Sequence, residues 1–165
     1  MKQLGLLLIA VVGLGACGSG EAAKSWRGEW AVDNAYVRST CPPAMDQAMR
    51  KAPDATGTSR WTFAQSQDGD LLVTTKEGRL VRGFVAGSDA TLVREDQETS
   101  ADCSVRTELS IAVQLDGSGA SFLGSAKAFV TAQTASGAPC AGFAAAVACT
   151  AEFDIRGDRA DHAAR

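Results

Sequence analysis

The most regular alternation of apolar and polar residues in the chain runs from residue 104 to residue 115. Every second side chain there suits an interior, in the order Val105, Thr107, Leu109, Ile111, Val113 and Leu115. A period of two residues is that of a β-strand with one buried face. Asp116-Gly117, a pair typical of hairpin turns, follows directly. Residues 120–131 then alternate again, so we predict a long antiparallel hairpin.

Shorter alternating runs precede this hairpin and are separated by turn residues. Gln67-Asp68-Gly69-Asp70 separates two of them, and later runs follow Gly78 and Gly87-Ser88. Turns about every ten residues indicate a β-meander rather than βαβ units. The segment 142–156 is rich in alanine, which favours a helix. Its buried-type residues nevertheless alternate from Val147 to Ile155, so we interpret it as the last strand.

The longest connection, residues 39–59, lies between a first strand near residues 26–38 and the second strand. Pro43 suits the first turn of a helix there, and Pro53 ends it. One face of this short helix carries Met45, Ala48, Met49 and Ala52. The prediction is therefore an all-β fold: an antiparallel up-and-down meander of about eight strands closing into a small barrel, with one short helix in the first long loop.

The N-terminus has the parts of a signal peptide. A short positive start precedes thirteen apolar residues, Leu4 to Ala16, whereas a membrane-spanning helix needs about 20. The run Leu14-Gly15-Ala16-Cys17 resembles the lipobox of bacterial lipoproteins. This resemblance implies cleavage after Ala16 and a lipid anchor of diacylglycerol and fatty acyl chains, such as palmitate, on Cys17. Ordinary secretory cleavage, with Cys17 left as a thiol, is the alternative.

The residue after the cysteine, Gly18, is similar to the outer-membrane default of diderm bacteria. We therefore expect a protein of the cell envelope that is anchored in the outer membrane and faces the periplasm or the cell surface. Residues 17–25 are mostly small or polar, and we expect them to form a flexible tether. The expected organisation is a signal peptide over 1–16, a lipidated tether over 17–25, a β-barrel domain over 26–158 and a tail over 159–165.

Four further cysteines remain, an even number in an exported, oxidising setting. They are Cys41, Cys103, Cys140 and Cys149. Two disulfides are expected, with three possible pairings. We favour Cys140–Cys149 with Cys41–Cys103, because a short loop closes most easily, but the pairing of Cys41 with Cys149 stays open. Zinc is disfavoured because no C-x₂-C spacing is present.

The mature domain has a second resemblance, to lipocalin-type barrels. Gly28-Glu29-Trp30 matches the G-x-W motif of their first strand. In that family an arginine beyond the last strand packs over the tryptophan and closes the barrel by a cation–π contact. Arg156 or Arg159 has the right position along the chain for this role, and we assign it to Arg156.

Several functional classes are disfavoured by composition. The formal net charge is −3 with no concentrated basic stretch, so no nucleic-acid partner is expected. The one histidine, His162, lies near the C-terminus, and no nucleophile motif G-x-S-x-G occurs. The acidic residues Glu95, Asp96, Glu98 and Asp102 lack the spacing of a calcium loop and are interpreted as a solvated loop. We predict no catalytic residues, metal or cofactor.

Two functional hypotheses follow for a non-catalytic barrel. The first is a carrier of a small hydrophobic or lipid-like ligand, with Met45 and Met49 as a lid and Phe122 as a further contact. The alternative is a protein-interaction or inhibitor module of the cell envelope, with a filled barrel. The small residues on the predicted inner faces fit either a cavity or close packing. The expected partners are a membrane through the N-terminal lipid and either a hydrophobic small molecule or an envelope protein.

Overall fold

The computed structural model describes residues 25–51, 57–143 and 145–160. The signal peptide, Cys17, most of the tether, Ala52, Pro53 and His162 lie outside these ranges. The predictions made for those residues therefore remain predictions. The described elements are β1 (Gly28–Ser39), α1 (Pro43–Lys51), β2 (Gly57–Gln65), β3 (Leu71–Thr75), β4 (Leu80–Ala86), β5 (Asp89–Ser100), β6 (Cys103–Leu115), β7 (Ser121–Thr134) and β8 (Val147–Arg159).

The eight strands form a closed antiparallel barrel in which each strand pairs with its neighbour in the chain. The barrel closes where β8 returns to β1, from Trp30 opposite Arg159 to Ser39 opposite Ala151. The fold prediction is confirmed, including the strand in the alanine-rich C-terminal segment. Each strand pairs with both of its neighbours, but β4 pairs with β5 only up to Val93, so residues 94–100 of β5 pair with β6 alone. Inward and outward side chains alternate along the strands.

The two ends of the barrel differ in how they are filled. At the closed end lie the N-terminal segment and the turns after β2, β4 and β6, together with the end of β8. At the open end lie α1 and the turns after β3, β5 and β7. The hairpin of β3 and β4 is short, so the wall of the barrel is low on that side. Core side chains fill the closed end, and α1 has no fully buried residue.

Two disulfides join elements at the open end. They pair Cys41 with Cys149 and Cys103 with Cys140. The favoured pairing of Cys140 with Cys149 is therefore wrong, and the pairing that was left open is present. The reason is barrel closure, which places the end of β1 beside the start of β8.

Two further expectations from the sequence concern a turn and an acidic segment. The pair Asp68-Gly69 lies in the turn between β2 and β3, where Gly69 has φ 92°, a conformation that favours glycine. The acidic residues Glu95, Asp96 and Glu98 belong to β5 and not to a loop, which corrects their interpretation. No helix in the described part of the chain is long and apolar enough to cross a membrane.

Candidate ligand-binding site

An aromatic cluster fills the closed end of the barrel. Its members are Trp26, Trp30, Phe63 and Phe122, all almost completely buried, with ring centroids 5.1–6.2 Å apart. Trp30 also donates a hydrogen bond from Nε1 to the carbonyl oxygen of Trp26 at 2.9 Å. Tilted rings at such distances stabilise a core beyond the area that they bury. Phe122 belongs to this packed cluster, so its prediction as a ligand contact is wrong.

Arg159 covers the aromatic cluster from outside. Its guanidinium carbon lies 4.6 Å from the centroid of the Trp30 ring, within cation–π range. The guanidinium also donates to the carbonyl oxygens of Gly119 at 2.8 Å and Arg27 at 2.9 Å. The prediction of an arginine over Trp30 is confirmed, but the residue is Arg159 and not Arg156. Arg156 lies on the outer face of β8, 3.5 Å from the carboxylate of Asp158.

Gly28 has a defined place in this arrangement. It begins β1 with φ 122°, and a Cβ atom there would lie 3.3 Å from a terminal guanidinium nitrogen of Arg159. Glycine tolerates this backbone conformation and leaves the approach of Arg159 unobstructed. Gly28, Trp30 and Arg159 therefore act together at the closed end. Arg159 belongs to β8 and not to the tail to which the sequence assigned it.

The other half of the barrel contains a cavity of about 410 Å³. It opens at the end where α1 lies, and most of its wall is apolar. The apolar lining comprises Met45, Ala48, Met49, Trp61, Val105, Leu109, Ile111, Ala126, Ala128, Val130, Phe153 and Ile155. Ala126 and Ala128 line the cavity with one-carbon side chains, which leave space that larger residues would fill. Of the predicted ligand contacts, Met45 and Met49 line the cavity and Phe122 does not.

Polar side chains lie at the mouth and along one wall of the cavity. They are Asn34, Arg79, Arg94, Glu98 and Thr107. The Arg94 side chain is only 14% exposed, and its Nε donates to Oδ2 of Asp96 at 2.7 Å. Arg94 follows Ala90 and Leu92 in the inward phase of β5. An apolar cavity with a few polar groups near its mouth is the usual form of a small-molecule site.

The helix α1 covers part of the mouth and is held there from both of its sides. Met45 and Met49 pack against the core, and Sδ of Met45 lies 3.8 Å from Sγ of Cys149. The disulfide of Cys41 with Cys149 fixes the chain just before the helix. The lid predicted from the two methionines is thus a helix that contacts the cavity.

A polar latch joins α1 to β1 and consists of Tyr36, Ser39, Asp46 and Arg50. The carboxylate of Asp46 accepts hydrogen bonds from Ser39 Oγ and Tyr36 Oη at 2.5 Å each, and from Arg50 Nε at 2.8 Å. The Arg50 guanidinium also lies 4.0 Å from the centroid of the Tyr36 ring. The bond from Ser39, followed by those from Tyr36 and Arg50, lowers the pKa of Asp46 to about 2.

Sequence reasoning missed Trp61 and the polar residues of the mouth. Arg94 could have been found, because it occupies the same phase of the alternation as Ala90 and Leu92. A charged residue in the inward register of a strand signals either an internal ion pair or a binding group. Trp61 occupies a buried phase of β2, but only the barrel geometry decides that it borders a cavity and not the filled end.

No protein-family model matches this chain, and comparisons with curated proteins and with solved structures gave no significant match. Among the residues that the structure describes, no three His, Cys, Asp or Glu side chains converge where they could hold a metal ion.

Proposed function

We propose that the protein binds a small hydrophobic or lipid-like ligand in the cavity of its barrel, without catalysis. The observation that carries this proposal is the apolar cavity of about 410 Å³ that opens beside Met45 and Met49. Its volume falls in the range of about 300–1,000 Å³ that is typical of small-molecule sites. Methionine side chains suit a lid, because they are flexible and adapt to ligands of different shape.

The length of the apolar wall supports an elongated ligand. Val105 and Ile111 both line the cavity and are six residues apart on β6, which corresponds to about 20 Å along the strand. A wall of this length accommodates an alkyl chain or a fused apolar ring system. The floor is formed by Trp61, Ile111 and Ala126, whose side chains are apolar apart from the indole N–H of Trp61. Burial of apolar surface is therefore the main source of affinity.

The alternative function, an interaction or inhibitor module, was tied to a filled barrel. The barrel is filled only at its closed end, and its open half is lined by alanines that a filled barrel would replace with larger residues. This difference favours the carrier over the interaction module.

The proposal is tested by native mass spectrometry of the protein purified from the cell envelope, before and after exposure to an envelope lipid extract. A retained lipid mass supports the carrier, and a bare protein mass in both conditions contradicts it. The same spectrum reports the disulfides as a loss of four hydrogens.

Two alanine substitutions give a matched pair for the same measurement. Ala128→Leu adds three carbons inside the cavity, whereas Ala112→Leu adds them on the exposed outer face of β6. We expect Ala128→Leu to reduce the bound lipid at least about tenfold, because it occupies the space of the ligand. Ala112→Leu should bind as the wild type does. Equal binding by both variants would place the ligand elsewhere.

We further propose that the protein is anchored in the outer membrane through a lipidated Cys17, as the lipobox resemblance implies. Two or more acyl chains hold a protein stably on a membrane, because each buried methylene contributes about 0.8 kcal/mol. Metabolic labelling with palmitate tests this proposal. The wild type should incorporate label and Cys17→Ser should not, and equal labelling of the two proteins would contradict the anchor.

A further inference from the structure

The charged groups at the cavity mouth differ in depth. Arg94, Asp96 and Glu98 occupy successive inward positions of β5, opposite Leu109, Thr107 and Val105 of β6. Arg94 is the innermost of the three. It lies about 13 Å deeper than Glu98, measured along the strand from the open end. It lies where the short β3–β4 hairpin ends, between the apolar floor and solvent.

The guanidinium of Arg94 has hydrogen-bonding capacity that the protein does not use. Its Nε is satisfied by Asp96 at 2.7 Å. Its two terminal amino groups have no hydrogen-bond acceptor within residues 25–51, 57–143 and 145–160. A guanidinium presents five N–H donors in a planar fork that matches a carboxylate or phosphate. A largely buried cation with unused donors on a cavity wall is suited to bind an anion.

The neighbouring charges allow an anion at this position. The Asp96 carboxylate accepts from Nε of Arg94 and partly neutralises the guanidinium, and the Arg94 side chain lines the cavity. Glu98 is exposed and lies further out, where water screens its charge. Arg79 lines the cavity at the same mouth.

We propose that the ligand is an amphipathic anion whose apolar chain lies among Trp61, Ile111 and Ala126, and whose anionic head binds Arg94. This inference rests on the proposed function, since it names the class of molecule that the cavity takes. The head is a carboxylate or a phosphate, both of which accept two hydrogen bonds from one guanidinium. Arg94 therefore selects for the charge of the head, and the apolar wall selects for the chain.

The test compares four ligands that share one alkyl chain: dodecanoate, dodecyl phosphate, dodecanol and dodecylammonium. Their dissociation constants for the full protein are measured by calorimetry below the micelle concentration. We expect at least one of the two anions to bind about tenfold or more tighter than dodecanol, because charge-assisted hydrogen bonds are made only with an anionic head. The tighter of the two anions identifies the head as a carboxylate or a phosphate.

Variants of the ion pair decide whether Arg94 is responsible. In the double variant Arg94→Gln/Asp96→Asn neither partner is left as an unpaired charge, so the barrel is expected to fold. The advantage of the anion over dodecanol should fall to within about twofold, with dodecanol binding unchanged. Asp96→Asn alone should keep the advantage. Arg82→Gln, which removes an exposed arginine from the outer face of β4, should also keep it.

Three results would overturn the inference. The first is equal binding of dodecanol and both anions by the wild type, and the second is an anion advantage that survives in the double variant. The third is tighter binding of dodecylammonium, which would assign the head group to Glu98. In each of these cases dodecanol still binds, and the proposed function stands. Failure of all four ligands, dodecanol included, contradicts the proposed function itself.

Discussion

A single arginine at the end of β8 connects three parts of the closed end. Arg159 covers Trp30 at 4.6 Å and binds the carbonyl oxygens of Arg27 and Gly119, so it ties the N-terminal segment to the turn after β6. Arg156 is only three residues earlier but lies on the outer face. The alternation of β8 explains the difference, because Arg159 shares the inward phase of Ile155 and Gly157. The alternation used to predict the last strand ended at Ile155. Continuing its inward phase for four more residues identifies Arg159 from the sequence.

We predict that Arg159→Gln lowers the free energy of unfolding by about 2–3 kcal/mol, because it removes a cation–π contact and charge-assisted hydrogen bonds. Arg156→Gln is the matched control and should change this free energy by less than about 0.5 kcal/mol, as expected for an exposed ion pair. Urea unfolding followed by tryptophan fluorescence measures both. Equal effects of the two substitutions would contradict the role given to Arg159.

The latch on α1 predicts that the stability of the fold depends on pH in the acid range. Because the pKa of Asp46 is lowered from 3.8 to about 2 in the folded protein, its ionised form stabilises the fold above the ordinary pKa. This stabilisation is lost as the pH falls through about 4 toward about 2. We expect Asp46→Asn to remove that part of the pH dependence of unfolding by urea. An unchanged difference between the wild type and Asp46→Asn across this pH range would contradict the latch.

At the scale of elements, the strands were predictable and their cross-links were not. The inward faces of β6, β7 and β8 are those that the alternation of the sequence indicated. The helix α1 lies in the long loop in which Pro43 and Pro53 predicted a helix. Alternation is local, so a single stretch of sequence is enough to assign it. The disulfides depend on which strands meet when the barrel closes. Ser39 pairs with Ala151, so Cys41 lies beside Cys149 although 108 residues separate them.

Each disulfide has its own expected effect at the open end. Peptide mapping without reduction should recover Cys41 with Cys149 and Cys103 with Cys140. Replacing the first pair by serines should lower the free energy of unfolding by about 4–5 kcal/mol, and replacing the second by about 4 kcal/mol, from loop-closure entropy. Only the first replacement should also expose Arg50 and Lys51 of α1 to rapid cleavage by trypsin. Equal cleavage of the two variants would contradict a specific tether on the helix.

At the scale of the whole molecule, the barrel is divided into a packed half and a hollow half. The closed end contains the aromatic cluster, and the open end contains the cavity, the short β3–β4 hairpin and a helix without a fully buried residue. The sequence could not reveal this division, because small inner residues suit both close packing and a cavity. The outcome depends on which of them face one another across the barrel, and this is a property of the closed structure.

The division predicts two levels of local stability. Regions with few buried apolar contacts open locally, whereas a packed core exchanges its amide hydrogens only when the whole protein unfolds. We expect the amides of Trp30, Val32 and Phe122 to exchange slowest, and those of α1 and of the turn after β3 to exchange much faster. Hydrogen exchange read by mass spectrometry after pepsin digestion measures both groups.

A bound ligand should slow exchange at the open end alone, since it contacts only that half. Equal slowing at both ends would show that the ligand stabilises the barrel as a whole, and would contradict a binding site confined to the hollow half.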